Sequence, residues 1–133
     1  MITETVDIRL SSKASNIAAR FAEELHFKNA ISAAKFAFAY KLRTTAEENI
    51  FGWYVLSEKK SDPRFDTTGN NYGGRVVDGD GRMTALLKMK FPSCEAPHQY
   101  IRLLMDAGLC ELGDMISSKE DFLKFLNSQI PNK

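Results

Sequence analysis

The stretch from Ala30 to Leu42 constrains this chain more than any other. Ile31, Ala33, Ala34, Phe36, Ala37, Phe38, Ala39, Tyr40 and Leu42 place apolar groups nearly all round a helical cylinder, so the helix they form must be covered on most sides. It is expected to be the central helix of a domain or to lie in a subunit interface. With 133 residues, 44 % of them hydrophobic and 26 % charged, the chain can supply that cover from a core of its own. At this length roughly two thirds of the unfolded surface can be buried, so neither disulfides nor a structural metal is required. The expectation is one domain over residues 1–133.

The flanking segments suggest what packs on this helix. Val6, Ile8 and Leu10 alternate with polar residues, the period of a half-buried strand. Ser11 or Ser12 can cap a helix from about Lys13 to Leu25, with Ile17, Ala18, Phe21, Ala22 and Leu25 on one stripe. Asn29 is positioned to cap the Ala30–Leu42 helix. Residues 47–56 fit either a helix or a strand. The following tract to about residue 81 is rich in Gly, Asn, Asp and Ser, and it predicts one long Gly-rich loop or insert over about 60–81. A helix is expected from Met83 to Phe91, and a long one from Pro97 to about Ile116 with Ile101, Leu104, Met105, Gly108, Leu109, Leu112 and Met115 on its stripe. Ser117 or Ser118, followed by Glu120 and Asp121, opens a last helix carrying Phe122, Leu123, Phe125 and Leu126. The fold class is therefore mainly α: a short N-terminal strand, a helix pair, and further helices.

No stretch approaches the roughly 20 apolar residues of a membrane span. The first ten residues, with Glu4, Asp7 and Arg9, have neither the basic start nor the apolar run of a signal peptide, which predicts a cytoplasmic protein without membrane contact. Cys94 and Cys110 are expected to stay reduced and fill core space. Together with His98 they offer three potential zinc ligands. There is no C-x-x-C pair, however, and Pro97 lies between the first two, so no metal is expected. Asp78-Gly79-Asp80-Gly81 lacks the closing acid of a calcium loop and suggests a tight acidic turn. Neither His26 nor His98 adjoins a nucleophile motif, so no catalytic residue or cofactor is assigned. Gly69-Asn70-Asn71-Tyr72-Gly73-Gly74-Arg75 lacks the P-loop order. It suits a surface turn or a flexible loop offering Arg75 and backbone N–H groups to a phosphate.

The formal net charge of +1 conceals a gradient: +3 over residues 1–43, 0 over 44–91 and −2 over 92–133. A polyanion would prefer the N-terminal third. A strand followed by two helices is also the order of a ribbon-helix-helix unit, whose strands pair across a dimer and present outward side chains, here Asp7 and Arg9, to the major groove. The same order suits an edge strand inside an α-rich domain, since Asp7 would face phosphates unfavourably.

The chain resembles the DNA sulfur modification protein DndE family, a small component of bacterial DNA phosphorothioation systems. The resemblance rests on Ile8-Arg9-Leu10-Ser11 with Lys13 and the two helices that follow, then Asp66-Thr67-Thr68-Gly69, Tyr72, Gly79 and Leu86-Leu87. It continues in the segment Tyr100 to Leu112 around Ala107-Gly108-Leu109, and in Glu120-Asp121-Phe122-Leu123. Where the family tends to carry His and Arg before that glycine, this chain has Leu104 and Ala107. The resemblance implies a helical homo-oligomer that binds double-stranded DNA, favouring nicked duplex, without catalysis, beside other proteins of a DNA modification complex and in a role in phage defence. Arg9, Lys13, Lys28, Lys35 and Arg75 are the expected phosphate contacts. The alternatives are a ribbon-helix-helix regulator and an adaptor that holds a partner enzyme through Phe36, Phe38 and Tyr40 without touching nucleic acid.

Overall fold

The computed structural model describes residues 7–58, 69 and 71–129. Strand β1 (Asp7–Arg9) buries Ile8 completely, as it does the following Leu10. Ser11 is extended, and its hydroxyl accepts a 3.1 Å hydrogen bond from the Ala14 N–H, which starts α1 (Ser12–Glu24). The chain reverses through His26, whose φ of 62° is left-handed, and Asn29 then caps α2 (Ala30–Thr44) by accepting from the Ser32 N–H at 2.9 Å. Glu47 and Glu48 occupy the first turn of α3 (Glu47–Glu58), so the ambiguous stretch is a helix with acids where its N-terminal partial charge favours them.

The expected loop over 60–81 is only partly a loop. Residues 59–68 and 70 lie outside the described residues, but Asn71–Gly73 form β2 and Gly74–Asp78 form α4. β2 pairs antiparallel with β1, Ile8 opposite Tyr72. A three-residue strand has no readable period of its own; its partner defines it. β1 thus finds its ribbon partner inside its own chain, as an edge strand of an α-rich domain does. After α4, Gly81 adopts φ 75° and the buried Asp78 carboxylate accepts from the Met83 N–H (2.8 Å), the Thr84 N–H (3.0 Å) and the Thr84 hydroxyl (2.6 Å), opening α5 (Arg82–Lys90). This is the acidic turn expected at residues 78–81. α5 buries Met83 and Leu87 and leaves Leu86 and Met89 exposed. Pro97 starts α6 (Pro97–Met115), and Ser118 caps α7 (Lys119–Ser128) by accepting from the Asp121 N–H at 3.1 Å.

Helix α6 is the main partner of α2 and also contacts α1, α3 and α5, so the core forms around these two helices. Ile101, Leu104, Met105, Leu109 and Leu112 of α6 are fully buried, as are Ala33, Ala34 and Ala37 of α2. Helices this close need small residues at the crossing: a Cβ on Gly108 would lie 2.9 Å from the Ala37 carbonyl carbon. The other apolar side of α2 is covered by α7. Phe36 packs against Phe122 (5.9 Å between ring centroids) and Phe125 (6.2 Å), Tyr40 against Phe125 (5.3 Å), and Phe27 against both Phe36 (5.5 Å) and Phe122 (5.8 Å). α2 is therefore the central helix of a single domain, covered by its own chain. Phe36 and Tyr40 belong to this cluster and Phe38 is 1 % exposed, so the three aromatic residues of the adaptor reading are packing residues. No helix among the described residues is long and apolar enough to cross a membrane.

Candidate functional site

Burial of α2 on these sides leaves one sector in water, and that sector is cationic. Lys35, Ala39 and Arg43 are exposed along it, and Lys28 is exposed just ahead of the Asn29 cap. Between Lys28 and Arg43 the sequence carries four cations and no acid. One of the four is committed inside the fold: the Lys41 ammonium lies 3.3 Å from Glu111 and 5.6 Å from the centre of the Trp53 ring. The other three remain at the surface, where the Arg43 guanidinium is steadied by donating to the Gln129 side-chain oxygen. At the C-terminal end of α2 the Lys90 ammonium donates to the Arg43 carbonyl (2.9 Å) and to the Leu42 carbonyl, adding positive charge where the helix end favours it. Lys28 and Arg43 are fifteen positions apart, about 22 Å at helical rise.

The five expected phosphate contacts do not form one patch. Lys28 and Lys35 belong to the α2 stripe. Lys13 stands in the first turn of α1, near the exposed Arg9 of β1 in the chain, and about 17 Å of helix rise separates it from the end of α1 beside Lys28. Lys13 also has an acid beside it, Asp114, at 3.8 Å, both groups being exposed. The Arg75 backbone lies in α4 rather than in a loop; its side chain is outside the described residues. The Gly69 N–H, a candidate phosphate donor, is already used in a 2.8 Å hydrogen bond to the Leu10 carbonyl. The glycine-rich segment thus serves the β1–α1 junction. Arg43 enters the candidate site through its position eight residues beyond Lys35 on the exposed sector of α2, a spacing visible in the sequence once the buried sector is known.

One buried carboxylate ties two parts of the fold together. Asp106, 7 % exposed on α6, accepts from the Ser11 N–H at 2.6 Å and the Ser11 hydroxyl at 3.0 Å, tying the strand-to-helix junction to the central helix. Burial raises its pKa above the ordinary carboxyl value, and the Ser11 hydrogen bonds oppose that rise. The same burial pushes the Cys110 thiol up to about 11, the nearby Asp106 charge adding to it, and raises Cys94 as well. Both cysteines are therefore thiols at neutral pH, not thiolate nucleophiles. Burial lowers the pKa of His98, keeping its imidazole neutral. Among the described residues no three His, Cys, Asp or Glu side chains come together as metal ligands, so Cys94, His98 and Cys110 do not form the zinc set their spacing allows.

No protein-family model matches the chain, and neither a curated protein nor a solved structure matches it.

Proposed function

We propose that this protein is a non-enzymatic accessory protein that binds double-stranded DNA through the exposed stripe of α2 and works as a homo-oligomer in DNA phosphorothioate modification or a related phage-defence system. The DNA-binding part rests on one observation: Lys28, Lys35 and Arg43 lie exposed along a segment with no acid between them. The pathway, the preference for nicked duplex and the partnership with other proteins of a modification complex rest on the resemblance to the DndE family.

The way α2 is packed sets the mode of binding. A bare helix fits the major groove, about 12 Å wide. α2 is embraced by α1, α6 and α7, so it meets DNA as a ridge across the phosphates and does not enter the groove. Contacts of that kind position a protein without reading bases. Binding is thus expected to be neutral to sequence and steeply dependent on salt, with a slope of about −0.9 per phosphate neutralised.

Gel-shift titrations of nicked, intact and random duplexes between 50 and 200 mM salt test this. Lys28→Glu with Lys35→Glu should flatten the salt slope by about 2, since two phosphate contacts are removed, while Lys13→Glu should change it by less than half as much. An unchanged slope in the double variant refutes the α2 interface. A sharp sequence preference would refute the phosphate-only mode of binding, and the absence of any salt-dependent binding would refute DNA binding itself.

A further inference from the structure

A cleft of about 510 Å³ opens between α3 and the turn that leads into α6. Three carboxylates, Glu47, Glu48 and Glu95, and three aromatic rings, Phe51, Tyr54 and Tyr100, line it, and neither Lys nor Arg is among its lining residues. Glu47 and Glu48 have an ordinary reason to be there, since they occupy the first turn of α3 and Glu47 accepts from the Ser93 hydroxyl at 3.1 Å. Helix-end electrostatics does not explain the rest. Tyr100, 5 % exposed, also lines the cleft, its ring held against Tyr54 (5.5 Å) and Phe91 (6.4 Å). Phe51, on the same cleft, is 55 % exposed, a large apolar ring left in water.

We propose that this cleft binds an organic cation of the alkylammonium class, with its N–H groups on Glu48, Glu95 and the Tyr100 oxygen and its methylenes against Phe51 and Tyr54. Carboxylates set among ring faces suit such a cation, because the rings attract positive charge through their quadrupole and also shield the alkyl chain. A phosphate or carboxylate ligand would meet only like charge. A small divalent ion would find no compact set of oxygen ligands, since the described residues hold no metal-binding group of acids. The ammonium can belong to a free polyamine or to a lysine side chain of another protein. Its sign is opposite to that of the ligand assigned to α2, so the two proposals stand or fall separately.

Nitrogen-15 NMR and calorimetric titrations of the full chain at low ionic strength, with spermidine in one arm and N-acetyl-lysine methylamide in the other, test the site. The expected result is saturable binding in at least one arm, with amide shifts confined to α3 and to residues 93–100. The arm that binds more tightly identifies the source. Affinity should fall at least fivefold in Glu48→Gln with Glu95→Gln, two exposed positions where folding is not at risk, and measurably in Tyr100→Phe, which keeps the ring. Absence of saturation in both arms, shifts spread over the acids of α6 and α7, wild-type affinity in the glutamine pair, or magnesium chloride reproducing the same shifts at equal concentration would each overturn the proposal.

Discussion

Three glycines that lie inside helices should respond to alanine with three different outcomes, and the packing of α2 on α6 decides the sign. In a helix interior, alanine is favoured over glycine by about 1 kcal/mol, largely because the unfolded glycine chain is more mobile. At Gly52 in α3 a Cβ would meet nothing within 4 Å, so Gly52→Ala should stabilise the protein by nearly that whole amount. At Gly113 in α6 the Cβ would sit 2.5 Å from the terminal carbon of Ile17 and 2.9 and 3.1 Å from its two γ carbons, so this β-branched side chain must shift off its rotamer. An off-rotamer shift costs about 0.5–1.5 kcal/mol, so Gly113→Ala should be close to neutral. At Gly108 the neighbours are backbone: the Ala37 carbonyl carbon lies 2.9 Å away and its oxygen closer still. Backbone cannot rotate aside, so α2 and α6 must separate by about half an ångström or more, which forfeits a quarter or more of the dispersion energy at their contacts. With an overpacking cost of about 3 kcal/mol set against the propensity gain, Gly108→Ala should lose about 2 kcal/mol. For a domain of this size that is a fall of roughly 6–10 °C in Tm. Urea unfolding monitored by circular dichroism measures all three. If Gly108→Ala proved as stable as Gly52→Ala, the close crossing of α2 and α6 would be wrong.

The Asp106 tether makes a prediction about pH. Asp106→Leu strands the buried Ser11 N–H and should cost about 2–3 kcal/mol, whereas Asp106→Asn keeps an acceptor and should cost less. Because burial raises the folded-state pKa of Asp106, the stability linked to its protonation is fully present below the unfolded value, about 3.9, and is lost as pH rises through the folded one. Wild type should therefore gain on Asp106→Asn as pH is lowered from 7 toward 4, and a flat difference in urea midpoints would contradict the assignment. Asp78→Ala removes three acceptor contacts at the start of α5 and should cost about 2–3 kcal/mol. Hydrogen exchange should rise first at the Met83 and Thr84 amides; protection retained there would mean that Asp78 does not hold the helix.

What the sequence discloses here is local chemistry. Ser11, Asn29, Ser118 and Pro97 mark helix starts because capping depends on a few neighbouring residues, and each stands where a helix begins. The apolar circumference of α2 likewise announces that the helix is central. What it does not disclose depends on contacts distant in sequence. β2 exists because β1 offers it a partner, and the fate of each cation depends on groups tens of residues away. Lys41 meets Glu111 and Lys90 meets the end of α2, while Lys35, with the same side chain and a similar neighbourhood in sequence, remains in water. Asp106 belongs with these: its partner Ser11 lies 95 residues away, and only the fold brings the two together.

The cover that α7 gives α2 changes the physical reason for expecting an oligomer. An apolar helix left bare would drive association by itself, but Phe122 and Phe125 already close the side that α1 and α6 leave open. The charge of the exposed stripe supplies a different reason. In the proposed interface one copy would offer three cations to duplex DNA, and three phosphate contacts lose about fortyfold in affinity between 50 and 200 mM salt, where six to ten would lose about 10³ to 10⁵. So few contacts give a single copy little hold on DNA at physiological salt, whereas copies aligned on one duplex add their contacts and multiply their affinities. On the proposed function, self-association should accordingly be coupled to DNA, the duplex bringing together subunits whose α2 is already covered by its own chain.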